Sequence, residues 1–287
     1  MTRRGPTVAR RSLARLLRER RKELGISREQ VAKHAGIAPP TVNRIESASV
    51  RVEVGTVAMM LDLYNVTAEE REELLDMARA AKKRGWWQRY SYKIPSWFSV
   101  YVGLEHEAKS LFQYQIEVIP GLLQTEAYTR ALIDAEPAAV SPEEADRRVT
   151  VRKARQARLT GDTPPKLWAI INEAALYRQI GGHQVMRDQL DHLVALAQLD
   201  NVTIQVLPNA AGAHPAGETP FTILGFADTR DRDVVYIEYR MGAIYLEAPE
   251  EVEMYTTLFD HLTMKAPDRE RSIALLDRAA AAFTDKR

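Results

Sequence analysis

Six histidines and no cysteine set narrow bounds on the chemistry open to this sequence. His34, His106, His183, His192, His214 and His261 fall at no spacing that builds HExxH or another close ligand set. No metal site and no cofactor is therefore expected. Without cysteine there is no disulfide, thiolate zinc site or cysteine nucleophile, as in proteins of a reducing compartment. Gly181-Gly182 lacks the rest of a phosphate-cradling glycine loop, and no GxSxG elbow is present. Glu105 and Glu107 flank His106, a grouping that could support acid–base work. Residues two apart on a helix do not share a face, so the two carboxylates read as solvated helix residues. No catalytic residue is assigned, and the chain is not expected to be an enzyme.

Three other groups have open readings. The loop Gly212-Ala213-His214-Pro215-Ala216-Gly217 is either an ordinary turn or a site for a partner or effector, with His214 and the following Glu218 as its candidates. Arg147, Arg148, Arg152, Lys153, Arg155 and Arg158 form either a second basic patch or a solvated face. Trp86 and Trp87 either form a binding surface or pack a domain junction.

The elements that must carry these residues divide by charge. Residues 1–66 hold 13 Lys and Arg against 6 Asp and Glu, a net +7, while the remaining 27 basic and 33 acidic residues give −6. A basic head on an acidic body points to a polyanion at one end. At 287 residues, 45% of them apolar, the chain suits two domains with sizeable cores. No apolar run approaches the roughly 20 residues of a membrane span, and no signal peptide is expected. The compartment implied is the cytoplasm, in association with the nucleoid.

In the head, Leu13, Leu16, Leu17 and Leu24 share one helical face that Gly25 closes. Ser27-Arg28-Glu29-Gln30 is a capping box opening a short helix with Val31, Ala32 and Ala35. After Gly36, a further helix runs through Pro39-Pro40-Thr41-Val42-Asn43-Arg44-Ile45-Glu46, with Val42 and Ile45 facing inward. Two helices joined this closely make a helix-turn-helix. A fourth helix is expected over Val54–Tyr64, and Thr67 caps a fifth reaching about Lys83.

The stretch from Ser27 to Glu46 resembles the core of the XRE family, the lambda-repressor-like helix-turn-helix regulators. Ala32, Gly36, Ile37, Val42, Ile45 and Glu46 carry the likeness. It departs at Ala38, where that family often has Ser or Thr, and at Pro39-Pro40, where it often has polar base readers. The resemblance implies double-stranded DNA as partner. Arg44 is expected to be the main base reader, since arginine grips guanine with two bonds. Thr41 and Asn43 assist, and Pro40 offers only apolar contact. Arg28 and Lys33 are candidate phosphate contacts. Residues 1–11 read as a basic arm, 12–83 as the DNA-binding domain, 84–95 as a junction and 96–287 as the body.

The body reads as α+β, because strands cluster instead of strictly alternating with helices. Strands are expected over 113–123, with a turn at Pro120-Gly121, and over 167–172, 202–206, 220–226, 234–239 and 243–246, the last three as a meander. Helices are expected from Ser141-Pro142-Glu143-Glu144 to about Leu159 and over 185–199, 249–264 and 268–283. Ile119-Pro120-Gly121-Leu122-Leu123-Gln124-Thr125-Glu126, Arg152-Lys153-Ala154-Arg155-Gln156 and Asn201-Val202-Thr203-Ile204-Gln205-Val206-Leu207-Pro208 resemble the C-terminal domain of actinobacterial WhiJ-like, antitoxin-like regulators. That resemblance implies a small partner protein acting with a regulator. The expected whole is an all-α lambda-repressor-like domain plus a larger α+β domain, forming a homodimer. An antitoxin that sequesters a small toxin-like protein and controls its own promoter is the alternative.

Overall fold

The computed structural model describes residues 4–90, 95–217 and 219–283. Two compact units emerge. The first takes the residues up to Glu107 together with Ala227–Asp231, and the second takes Ala108–Phe226 and the residues from Arg232 onward.

The first unit is helical: α1 (Pro6–Glu23), α2 (Arg28–Ala35), α3 (Pro39–Glu46), α4 (Val54–Tyr64), α5 (Ala68–Ala81), a 3-10 turn at Trp86–Tyr90, and α6 (Ser96–Glu107). Leu13, Leu17, Val31, Val42, Ile45, Val57, Met60, Leu61, Leu74 and Ala78 form one buried cluster from α1 to α5. The expected arm is partly helix. Residues 6–11 are the first turns of α1, and Thr7, Val8 and Ala9 are buried; Arg3 lies outside the described residues. Gly5 has no capping side chain. The Glu107 carboxylate takes that part, accepting Thr7 N–H at 2.9 Å and Val8 N–H at 2.8 Å. A Cβ at Gly103 would stand 2.2 Å from Thr7 Oγ1, so glycine is what lets α6 approach α1 here. α6, expected at the start of the body, packs into the first unit.

The same geometry corrects the reading of Glu105 and Glu107 as solvated: Glu105 is 3% exposed and Glu107 is held at a helix end. Burial outweighs these hydrogen bonds and pushes the Glu107 carboxyl up to about 7.

The second unit is built on β1 (Ser110–Gln115), α7 (Glu126–Asp134), α8 (Pro142–Gln156), β2 (Lys166–Asn172), α9 (Glu173–Tyr177), α10 (His183–Leu196), β3 (Val202–Leu207), β4 (Phe221–Gly225), β5 (Val234–Tyr239), β6 (Gly242–Leu246), α11 (Pro249–Lys265) and α12 (Arg269–Ala282). Its sheet runs β3-β2-β1-β4-β5-β6. β1, β2 and β3 are parallel neighbours, joined by helical crossovers, whereas β4, β5 and β6 form the expected antiparallel meander. Tyr114, Ile170, Phe221, Ile223 and Val235 pack with Phe259 and Leu262 of α11. The first strand ends earlier than expected, at Gln115, and the expected turn at Pro120-Gly121 is a 3-10 turn over Gly121–Leu123. Pro120 cannot donate to a ladder, and Leu122 and Leu123 are buried within the turn.

The expected basic cluster, on α8 and the turn after it, is exposed at Lys153, half-buried at Arg147, Arg148, Arg152 and Arg158, and tied into local bonds. Arg147 and Arg148 pair with Glu144, at 2.7 and 3.1 Å. Lys153 pairs with Glu126 at 2.5 Å, Arg152 donates to Gln124 Oε1 at 2.7 Å, and Arg155 is buried. No helix among the described residues is long and apolar enough to cross a membrane.

Candidate nucleic-acid interface

The local sequence marks the ends of α2 and α3. Ser27 Oγ accepts the Gln30 N–H at 3.2 Å, and Gln30 Oε1 accepts the Ser27 N–H at 2.7 Å, a reciprocal capping box. Gly36 closes α2 at φ +64, in the left-handed region that glycine enters without steric cost. Ala38 supplies no capping side chain to α3, yet little is left uncapped. Pro39 and Pro40 have no N–H, and Thr41 N–H already reaches the Ala38 carbonyl at 2.8 Å.

At its far end α3 closes as a Schellman motif. Ser49 N–H bonds Arg44 O at 2.9 Å and Ala48 N–H bonds Ile45 O at 3.0 Å, which places Ala48 at φ +55.

A buried ion pair braces the motif from behind. Glu46, 3% exposed, accepts Arg21 Nε at 2.5 Å and Nη2 at 2.9 Å, so α1 is clamped to the end of α3. Arg21 also gives Nη1 to Ile26 O at 2.9 Å, just before α2. The hydrogen bonds to Glu46 raise the Arg21 guanidinium above its ordinary value. Burial likewise raises the Tyr64 phenol, whose hydroxyl has no hydrogen-bond partner among the described residues.

With Val42, Ile45 and Glu46 buried, the opposite side of α3 faces outward. At about 100° per residue, Asn43, Pro40, Arg44 and Thr41 fall in that order on a stripe roughly 160° wide. Pro40, Asn43 and Arg44 are exposed and Thr41 is half-buried. Lys33 on α2 and Arg44 carry no ion pair among the described residues, so both charges are available to an anion. Arg28 is different. Its Nε already bonds Glu46 at 3.1 Å, while the side chain remains 41% exposed. It serves the brace first and has its remaining N–H groups left for a phosphate.

The loop candidates of the second unit fare otherwise. His214 turns inward, with Nε2 3.3 Å from Tyr114 Oη and the two rings edge to face at 5.7 Å. Burial, then the nearby Lys265, lowers its pKa. It is half-buried, and its Nδ1 has no hydrogen-bond partner among the described residues. Glu218 lies outside the described residues.

The Arg21–Glu46 brace was not legible in the sequence, since no local spacing links positions on α1 and α3.

A family model for a helix-turn-helix domain matches residues 12–74. A second, Domain of unknown function (DUF5753), matches residues 98–278, well over half of the chain. No curated protein and no solved structure matches the chain.

Proposed function

The chain belongs to the DUF5753 family and carries a helix-turn-helix domain, and from that premise we propose that it is a sequence-specific DNA-binding transcription regulator. The carrying observation is the α3 stripe. Its inner residues are buried, and Pro40, Asn43 and Arg44 stand exposed beside the unpaired charges of Lys33 and Arg44.

The stripe enters the major groove, where Arg44 reads a guanine edge, Thr41 and Asn43 contact neighbouring bases, and Lys33 and Arg28 hold phosphates. With Pro39 and Pro40 at its start, α3 has few N–H groups for phosphate, so positioning falls to side chains. The second unit dimerises the protein and engages a small partner protein or an effector. Its acidic balance disfavours wrapping DNA, and its sequence contains no nucleophile–base motif, which supports a binding role over catalysis.

The test is selection of duplexes from a random pool by the full-length protein, followed by titration of the winner and a scrambled duplex. Enrichment of a pseudo-palindrome, lost in Arg44→Ala, is the expected result. Recovery of an unenriched pool at low salt would overturn the reading.

A further inference from the structure

A cavity of about 870 Å³ lies in the first unit, between the start of α1, the loop after α3, the end of α5, the 3-10 turn and α6. Its volume falls in the range of small-molecule sites, about 300–1,000 Å³. Arg10, Arg51, Arg84 and Arg89 line it together with Trp86, Trp87 and Trp97, and no carboxylate is among the lining residues. The DNA-binding stripe of α3 uses none of these side chains.

None of these guanidiniums forms an ion pair with a carboxylate among the described residues. Arg10 Nε is buried and has no hydrogen-bond partner among the described residues. Arg51 donates to Gln88 Oε1, and Arg89 donates Nε to the Trp86 carbonyl at 3.1 Å. Both acceptors are uncharged, so these bonds orient the guanidiniums and leave their charge in place. Burial, and then the neighbouring Arg51, lowers the Arg10 pKa, against a smaller opposing pull from Glu107. A buried guanidinium without an anion is unfavourable, and one placed beside another is more so.

The aromatic side is equally specific. Trp86 meets Trp87 edge to face at 6.0 Å and Tyr90 at 6.2 Å. Trp87 is packed away at 3% exposure, whereas Trp86 and Trp97 are half-buried. Indole faces accept a flat ring, and guanidinium planes both stack on aromatic systems and pair with an acid group through two bonds.

We propose that this cavity binds a small planar aromatic anion, its ring against Trp86 and Trp97 and its acid group on Arg10 and Arg51. An aromatic carboxylic acid and a nucleoside monophosphate share that chemistry. The site is independent of the DNA-binding reading, since none of its residues lies on the exposed face of α3.

The experiment titrates the full-length protein with 2-naphthoate, with adenosine monophosphate and with the neutral 2-naphthamide. It follows tryptophan fluorescence and calorimetric heat. At least one of the two anions is expected to bind saturably, at least tenfold tighter than 2-naphthamide. Preference for 2-naphthoate assigns the site to an aromatic acid, and preference for adenosine monophosphate assigns it to a nucleotide; either supports the proposal. Arg10→Gln should weaken the preferred anion at least tenfold, with the thermal melt confirming the fold. Arg51→Gln, at an exposed position, serves if Arg10→Gln does not fold. Trp168→Phe, on the sheet of the second unit, should leave the binding unchanged. Equal affinity for 2-naphthamide, no saturable binding by either anion, or undiminished binding in folded Arg10→Gln and Arg51→Gln would each overturn the proposal.

Discussion

Ala48 is an alanine where the backbone asks for glycine. It is the left-handed residue of the Schellman closure of α3, at φ +55. A Cβ there costs about 1–2 kcal/mol, which the greater freedom of an unfolded glycine offsets only in part. Ala48→Gly should therefore stabilise the protein by about 0.5–1 kcal/mol, seen as a higher urea midpoint at unchanged slope. A lower midpoint would mean that the alanine methyl makes contacts worth more than the strain. Arg44 is the second residue with a separable effect. It is exposed and has no ion pair among the described residues, so Arg44→Ala should leave the melting temperature in place and cost about 1–3 kcal/mol on the selected duplex, with relaxed preference at one base pair. Uniform weakening on every duplex in a filter-binding titration would make it a phosphate contact instead.

Between elements, two carboxylates do the joining. Glu46 clamps α1 to α3 through Arg21, with both partners nearly buried. Removing one partner leaves an uncompensated charge, so Glu46→Ala should cost about 3–5 kcal/mol in chemical denaturation. A loss under about 1 kcal/mol would show that water replaces the carboxylate. Glu107 joins α6 to the start of α1, and its folded pKa is raised to about 7 from an ordinary 4.5. The folded state thus holds a proton that the unfolded state releases. Its contribution is full below pH 4.5, is lost as pH rises through about 7, and is constant above that. The difference in stability between the wild type and Glu107→Gln should shift against the wild type by at most about 3 kcal/mol over that window. A pH-independent difference would place the carboxyl at its ordinary value. These joints also mark where the sequence stops being readable. The capping box at Ser27, the span of α4 and the β4–β6 meander follow from local spacing, and all three were legible. The start of α1 at Pro6, the transfer of α6 to the first unit, and the roles of Arg21 and Glu107 depend on partners 25 to 100 positions away. Tertiary contacts of that kind leave no periodic signal.

At the scale of the whole molecule, charge and assembly become measurable together. The net +7 of residues 1–66 against −6 for the rest means that attraction to DNA is concentrated at one end of the chain. Log affinity should then fall linearly with log salt, by about 0.9 for each phosphate neutralised. Assembly has a separate structural handle. β6 is an edge strand of the sheet, and Tyr239, Met241 and Ile244 beside or within it are 55%, 82% and 47% exposed. An apolar open edge is an unfavourable surface for a monomer, and pairing with a second copy would cover it. If the proposed dimer forms through this edge, Ile244→Lys should lower the mass in solution from dimer to monomer, while the variant chain remains folded. The salt slope supplies an independent count of protomers on DNA. Lys33 has no ion pair among the described residues, so on the proposed interface Lys33→Ala would remove one phosphate contact per bound protomer. A wild-type dimer on a pseudo-palindrome should lose about 1.8 from its slope, whereas a monomer should lose about 0.9. In the Ile244→Lys background, adding Lys33→Ala should lower the slope by only the smaller amount. The same loss in both backgrounds would show that the β6 edge plays no part in how the protein is assembled on DNA.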